Sequence, residues 1–271
     1  AIGVQTTASG DNSFAMGNQT DASNTGATAL GLYSSASGIN SVSMGAYTVA
    51  SGSNSLAMGS LSVASNIAST AIGISNEASG EASIALGFGT LASGRYSTAM
   101  GDSTIASGEQ STAMGDQTEA FGLASTAMGD RTEAIGVAST ALGWRTDAIG
   151  DYATALGFLS IASGKQSTAM GGWTIAPSTF ETTVGMFNTT YTPASTTTID
   201  PTDRLFVVGN GTNSTLRSDA MVILKNGNVG IGNSDPEGQL FVQHTSTASG
   251  SSSGIFVDWL GDHWKTYHSG L

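Results

Sequence analysis

Large apolar residues recur at about every fourteenth position of this chain, each in the middle of an Ala-x-Gly triplet. A second Ala-x-Gly triplet stands halfway between two such positions, and its middle residue is usually Ser. The triplets keep their phase from Ala1 to Ala169; only Asn24 and Asn66 replace the Gly, and Ser43 replaces the Ala. A period held without interruption over more than half of a chain indicates one short structural unit stacked many times.

The repeating unit, S-T-A-M-G-x-x-T-x-A-S-G-x-x, alternates small and larger residues at period two. Such alternation is typical of β-strands, and the Gly-x-x segments that bound it are typical of turns. A helix is disfavoured because a Gly at every seventh position would cost about 1 kcal/mol each time. The sequence therefore predicts an all-β fold: a parallel β-roll solenoid with 14-residue coils, in which both short strands of a coil pair in parallel with the next coil.

The alternation places Ser/Thr, Ala and Gly on one face of both strands. A face that carries only small side chains is typical of the interior of a very flat coil, where two strands lie back to back. The large apolar residues then point outward in a continuous stripe, which a soluble monomer rarely exposes. We therefore predict an oligomer interface made of Met16, Leu30, Met44, Met58, Ile72, Leu86, Met100, Met114, Met128, Leu142, Leu156 and Met170.

A second arrangement stays open at this point. The Met/Leu/Ile column would point into the interior of a wider, monomeric solenoid, and Ala and Gly would form its outer surface. A monomer in solution would favour this arrangement.

The segment STAMGDQTEAFGLASTAMGDRTEAIGVASTALG carries the pattern Ser-x-Ala-x-Gly-x-x-x-x-Ala-x-Gly in phase. It resembles the head repeat of the YadA-like trimeric autotransporter adhesins, and the resemblance covers residues 1 to about 185. It implies a left-handed parallel β-roll and a homotrimer around a threefold axis. It also implies a place in the distal part of a surface fibre that binds host or matrix surfaces. A basic neck motif, a heptad stalk and membrane-anchor strands of the adhesin kind are not found in this sequence.

The remaining chain divides by composition into four parts. A Thr/Ser/Pro-rich connector is predicted over 186–203, a small β module over 204–243, a Ser/Gly linker over 244–254 and the start of a further β element over 255–271. Within the module, a strand should end at Asn210-Gly211, and two strands should flank a hairpin turn at Asn226-Gly227. This module resembles short β segments of phage-type tail fibres and surface proteins that carry a C-terminal chaperone.

The composition of the chain limits the classes of partner that it is expected to bind. The formal charge of −12 and the lack of a basic stripe argue against nucleic acid. The lack of Cys fits an extracellular fibre that needs no disulfides, and fits many other proteins as well. Acidic residues recur after Gly and on the second strand, where they are typical of a solvated wall, with a cation site as the alternative: Asp102, Asp116, Asp130, Glu109, Glu119 and Glu133.

Motifs that carry chemistry are few. Residues 250–254 match Gly-x-Ser-x-Gly without the strand-to-helix context that a nucleophile needs. His263 and His268 near Asp262 form a weak metal pattern. We therefore predict no catalytic residue, no cofactor and no metal. A surface that contacts a ligand is predicted at the aromatic cluster of Trp144, Tyr152, Phe158 and Trp173, with ordinary trimer contacts as the alternative.

These observations together predict a non-catalytic, trimeric, extracellular fibre segment for surface adhesion or receptor binding, without direct insertion into a membrane. Its partners would be two further copies of itself and a protein or glycan receptor on a host, prey or matrix surface. The alternative is a tail fibre of a phage or of a phage-like contractile injection system. A glycan-degrading tail spike would need paired carboxylates in a groove, whereas the acidic columns here repeat evenly. Ice binding by the Thr column that begins at Thr98 is disfavoured because that column lies beside the Met column.

Overall fold

The computed structural model describes residues 1–242, and every regular element in that range is a β-strand. The predicted linker at 244–254 and the predicted β element at 255–271 lie outside the described residues, as do the Gly-x-Ser-x-Gly match and the His263/His268 pair. Two parallel sheets run along the repeat region, one built of long strands and one built of short strands.

The long strands contain the Ala-x-Gly triplet whose middle residue is large and apolar, here called the Met-type triplet. They are β1 (Ile2–Val4), β3 (Phe14–Asn18), β5 (Thr28–Leu32), β7 (Val42–Ala46), β9 (Leu56–Ser60), β11 (Thr70–Ile74), β13 (Ile84–Phe88), β15 (Thr98–Asp102), β17 (Thr112–Asp116), β19 (Thr126–Asp130), β21 (Thr140–Trp144), β23 (Thr154–Phe158), β25 (Thr168–Gly172) and β27 (Thr182–Met186).

The short strands end on the Ala of the other triplet, whose middle residue is usually Ser. They are β2 (Thr7–Ala8), β4 (Asp21–Ala22), β6 (Ser35–Ala36), β8 (Val49–Ala50), β10 (Val63–Ala64), β12 (Glu77–Ala78), β14 (Leu91–Ala92), β16 (Ile105–Ala106), β18 (Glu119–Ala120), β20 (Glu133–Ala134), β22 (Asp147–Ala148), β24 (Ile161–Ala162) and β26 (Ile175–Ala176).

Successive coils pair in parallel with a constant offset of one repeat. Met100 stands opposite Met114 and Met114 opposite Met128, and the short strands keep the same offset, with Glu119 opposite Glu133. Each residue type therefore forms a straight column along the solenoid. The prediction of an all-β solenoid with coils of about 14 residues is confirmed.

The interior of the solenoid consists of small side chains. The Ala of both strand types is completely buried, as at Ala99 and Ala106, and the hydroxyl residues of the same face are buried too, as at Ser97 and Thr104. The Met/Leu/Ile column lies on the opposite, outer face of the long-strand sheet, where Met100 keeps 36% of its surface exposed. The wider solenoid with this column inside is therefore wrong: with Ala and Ser facing one another, the coil is too thin to hold Met or Leu.

Both turns of a coil hold a residue in the left-handed region, and most of these residues are not glycine. Ser103 and Gln110 have φ of 53° and 59°, and even Trp173 adopts 56°. Such conformations cost about 1 kcal/mol or more per residue. Hydrogen bonds between coils hold them: the backbone N–H of Gln117 donates to the carbonyl of Asp102 at 2.9 Å, and the turns from Gln19 onward repeat this bond.

The glycines of the triplets mark the points where neighbouring coils approach most closely. A Cβ added at Gly115 (φ 129°) would lie 1.9 Å from the carbonyl oxygen of Gly129. Gly172 differs, because its φ is not left-handed and an added Cβ would have only the Cβ of Met186 nearby, at 4.0 Å.

The segment after the repeats continues the long-strand sheet. β28 (Arg204–Asn210) pairs in parallel with β27. β29 (Asp219–Leu224) pairs antiparallel with β28, and β30 (Val229–Ile231) pairs antiparallel with β29. β31 (Leu240–Val242) pairs in parallel with β30. The predicted strand end at Asn210 and the hairpin at Asn226-Gly227 are confirmed, since the Gly227 N–H donates to the carbonyl of Leu224 at 3.0 Å. Residues 187–203 connect the two parts without a strand.

Candidate functional site

The residues predicted to form an oligomer interface lie in one column along the outer face of the long-strand sheet. Adjacent rungs stand directly opposite one another, as Met114 does with Met128 and with Met100. Exposure is highest near the ends, with 44% of the surface of both Met16 and Met170 accessible. Among residues 1–242, no element covers this column completely, and each of its rungs stays at least partly exposed. Its role as an interface between copies remains a prediction.

The outer face of the short-strand sheet carries an acidic column, in which Glu119, Glu133 and Asp147 occupy successive rungs. Burial, and secondly the charge of Glu133, raises the pKa of Asp147 to about 6 and also raises that of Glu119. Ile105 and Ile161 continue the column on either side. Within residues 1–242, no three His, Cys, Asp or Glu side chains come together as a metal site would require.

Three of the four predicted ligand-contact residues lie on successive coils at the same side of the solenoid, where their rings meet. The rings of Trp144 and Phe158 stack with centroids 4.7 Å apart and planes 8° apart. The ring of Trp173 lies on the other side of Phe158, with its centroid 6.3 Å from that of Phe158 and its plane tilted by 58°. Phe187, which was not among the predicted residues, extends the row: its ring centroid lies 5.6 Å from that of Trp173. Its position fourteen residues after Trp173 is the signal that would have identified it.

Tyr152 does not belong to this group. It occupies the turn that precedes β23, whereas Phe158 ends the same strand, so roughly 17 Å of extended chain separates the two. A second stacked pair, Tyr33 and Tyr47, lies in the same turn column as Trp173 but near the other end of the solenoid, with centroids 4.8 Å apart.

A buried polar cluster, which was not predicted from the sequence, joins the last coil to the strands that follow it. Glu181 stands where the preceding coils have Ser or Ala and is completely buried. Its carboxylate accepts hydrogen bonds from the Ser178 N–H and the Tyr191 hydroxyl, both at 3.0 Å. Burial nevertheless raises the pKa of Glu181 to about 7. A Glu in the Ser column was the sequence signal for this cluster.

Two buried ion pairs lie in the same region. The Arg204 guanidinium lies 3.5 Å from a carboxylate oxygen of Asp219 and stacks on the ring of Tyr191, 4.3 Å from its centroid. Lys225 lies 3.9 Å from Asp203, and both side chains are almost fully buried. These charges are engaged with each other and with backbone groups, and we interpret the cluster as structural support for the end of the solenoid.

The described residues contain no helix long and apolar enough to cross a membrane. Their acidic residues recur one coil apart along the solenoid, as Asp102 and Asp116 do on the long strands and Glu119 and Glu133 on the short strands.

Comparison with protein families gives one result. The sequence model of the YadA head domain repeat matches residues 1–20, 22–146 in overlapping windows and 148–174, which is well over half of the chain. The matches do not extend to residues 204–243, so the resemblance of that module to tail fibres receives no support from them. A search of curated proteins finds no match.

YadA-like adhesins are extracellular surface appendages that form homotrimers and bind host surfaces, and they are not enzymes. The solenoid of 14-residue coils and the phase of the Ala-x-Gly triplets agree with the head repeat over the whole matched range. This chain belongs to the family of YadA head domain repeats.

Proposed function

We propose that this chain is a segment of a homotrimeric extracellular fibre that attaches to a host, prey or matrix surface through its outer faces, without catalysis. The exposed Met/Leu/Ile column carries the proposal. It runs along the outer face of the long-strand sheet over about 13 coils, a length of roughly 60 Å at the usual spacing of parallel strands. A soluble monomer rarely exposes a continuous apolar stripe of this size.

Packing of the column against copies of itself would remove the stripe from water. Each rung buried contributes about 25 cal/mol per Å² of apolar surface, so a dozen Met, Leu or Ile rungs per chain add up to a stable assembly. In a parallel trimer equivalent rungs meet at the same height along the fibre. The in-register columns of one chain then match those of its neighbours at every coil.

Two separate double variants test the proposed assembly, one with Asp on the outer face of the long-strand sheet and one with Asp on the outer face of the short-strand sheet. We expect wild-type protein to have three times the chain mass of 27.1 kDa, measured by light scattering after size-exclusion chromatography. The double variant Met114→Asp, Met128→Asp puts charges into the proposed interface along the Met/Leu/Ile column, here called the seam. It should dissociate to monomers. The matched variant Ile105→Asp, Ile161→Asp alters the other sheet and should remain a trimer.

Dissociation by the second pair alone would place the seam on the short-strand sheet. A monomeric wild-type protein would remove the proposed assembly altogether.

A further inference from the structure

The row of aromatic rings formed by Trp144, Phe158, Trp173 and Phe187, here called the aromatic ladder, has an opening at one rung. Trp144 covers one face of the Phe158 ring by flat stacking. On the next rung, the strand partner of Phe158 is Gly172, which has no side chain to cover the other face. Trp173 stands at 58° to Phe158 and does not stack flat on it. Phe158 accordingly keeps 46% of its surface exposed.

Gly172 is not required by the backbone. The neighbouring triplet glycine, Gly171, has a left-handed φ of 129°, and an added Cβ would lie 2.0 Å from the carbonyl oxygen of Gly185. At Gly172 neither restriction applies, and a side chain has room. The missing side chain therefore leaves an opening one rung wide between an aromatic face and the tilted ring of Trp173.

The charge around the ladder differs from that of the rest of the chain. The chain carries −12 overall. In the two turn columns of the ladder, Asp130 is the strand partner of Trp144 and is paired with Arg131, and no acidic residue follows in these columns as far as Phe187. The Arg145 guanidinium lies 5.0 Å from the centre of a Trp144 ring. Asp147 is near enough for the positive charge of Arg145 to oppose the rise in the pKa of Asp147. Among the described residues, however, no carboxylate oxygen lies within ion-pair distance of Arg145, whereas Arg95 and Arg131 are both paired.

Main-chain groups at the ladder are already engaged. The Trp173 N–H donates to the carbonyl of Phe158 at 2.7 Å, and the Phe187 N–H donates to the carbonyl of Gly172 at 3.0 Å. An extended peptide would therefore find no free strand edge on which to form β-sheet hydrogen bonds. A ligand must instead use the ring faces and the Arg145 guanidinium, which lies beside Trp144.

We propose that the aromatic ladder binds a linear acidic oligosaccharide, with the flat C–H face of one sugar in the opening against Phe158 and a carboxylate of a neighbouring sugar at Arg145. The negative face of an aromatic ring attracts polarised C–H groups, and a guanidinium binds a carboxylate through paired N–H donors. A polymer of ring-shaped units fits a surface that repeats along the fibre axis. The inference rests on the proposed adhesive function and names its ligand class.

The test uses the full chain and hexasaccharides of galacturonic acid, of mannuronic acid and of the glucuronic-acid-containing hyaluronan type, with carboxyl-reduced counterparts as neutral probes. Binding is measured by calorimetry at low and at physiological salt. We expect at least one acidic hexasaccharide to bind, and its neutral counterpart to bind more weakly. Gly172→Val, which fills the opening, and Phe158→Ala should each weaken binding by about tenfold or more.

Arg145→Gln should weaken binding of the acidic probe and leave binding of its neutral counterpart unchanged. The matched control is Tyr47→Ala, which removes a ring from the stacked Tyr33–Tyr47 pair in the same turn column and should not change binding. Thermal unfolding of each variant shows that the fold is retained.

Three results would overturn the proposal: no binding by any acidic hexasaccharide, wild-type affinity in Gly172→Val, or tighter binding of a polyglutamate peptide than of the sugars. A change of molecular mass in Phe158→Ala would show that the ladder is a contact between copies instead. These outcomes are independent of the seam experiment, because mass and sugar affinity are measured separately.

Discussion

The side chains inside this solenoid are smaller than those outside it, which reverses the usual arrangement. Ala fills the interior of both strands, and Met, Leu and Ile stand on the surface. Glu181 departs from this pattern, since it is completely buried in a column where Ser recurs. It can be accommodated because the stack ends there and Ser178 and Tyr191 donate hydrogen bonds to it. Its carboxylate nevertheless loses hydration, which makes its charge costly.

The elevated pKa of Glu181 predicts a pH-dependent stability. The pKa rises from 4.5 to about 7 in the folded chain because of burial, although Arg204 and the hydrogen bonds oppose the rise. The folded state binds the proton more tightly than the unfolded state, so the free energy of unfolding should fall as pH rises from about 4.5 through 7. The decrease attributable to this group is on the order of 3 kcal/mol.

Chemical denaturation at pH 5 and pH 8 measures this decrease, and Glu181→Gln, which cannot ionise, serves as the comparison. The variant should lose the part of the pH dependence that Glu181 causes, whereas other groups, such as Asp147, titrate equally in both proteins. An identical pH dependence in the two proteins would show that the carboxylate is not costly in its buried position.

Among the elements, β28 has a special role because it covers the last long strand of the solenoid. An uncovered β27 would present unpaired N–H and carbonyl groups, which favour association between edges. β28 occupies that edge in parallel, and the buried pair of Arg204 with Asp219 ties it to β29. The end of the repeat is thus closed by backbone pairing and by charge together.

Removal of the arginine from this pair should be strongly destabilising. Arg204→Ala leaves the completely buried side chain of Asp219 without its cation, and the free energy of unfolding should fall by about 3–5 kcal/mol. Arg131→Ala is the matched control, since the side chains of Arg131 and its partner Asp130 keep 46% and 39% of their surface exposed, and such partly exposed pairs contribute about 1 kcal/mol or less. Equal losses in the two variants, measured by denaturant unfolding, would contradict the structural role of the cluster.

At the scale of the whole molecule, contacts are made almost entirely between neighbouring coils. Each long strand pairs with the long strand before it and the one after it, as β17 does with β15 and β19. The stability of such an array is approximately a sum over coils and their interfaces. The number of coils is consequently a property that can change without a change of fold.

Deletion of residues 99–112 tests this. It removes one complete repeat and joins Thr98 to Ala113 in phase, so the protein should fold with the same oligomeric state and a melting temperature only slightly lower. Deletion of residues 99–105 removes half a repeat and stacks a long strand over a short one. That variant should melt far lower or aggregate, and circular dichroism thermal scans compare the two. Similar behaviour of both deletions would mean that seven residues form the structural unit.

The sequence by itself determined the repeat, the strands, their parallel direction and the small-residue interior. These features depend on periodicity and side-chain size, and every coil repeats the same pattern of both. Because alternate residues of a strand point to opposite faces, that pattern also decides which residues lie inside. The spacing of fourteen already aligns Trp144 with Phe158 and Trp173 with Phe187, but the contact of Phe158 with Trp173 joins two neighbouring columns and was decided by the tertiary structure. The approach of Arg204 to Asp219 and Glu181 was decided by the tertiary structure too, because Arg204 and Asp219 lie outside the period and their neighbours depend on how the chain returns over the last coil. No local pattern encodes that path.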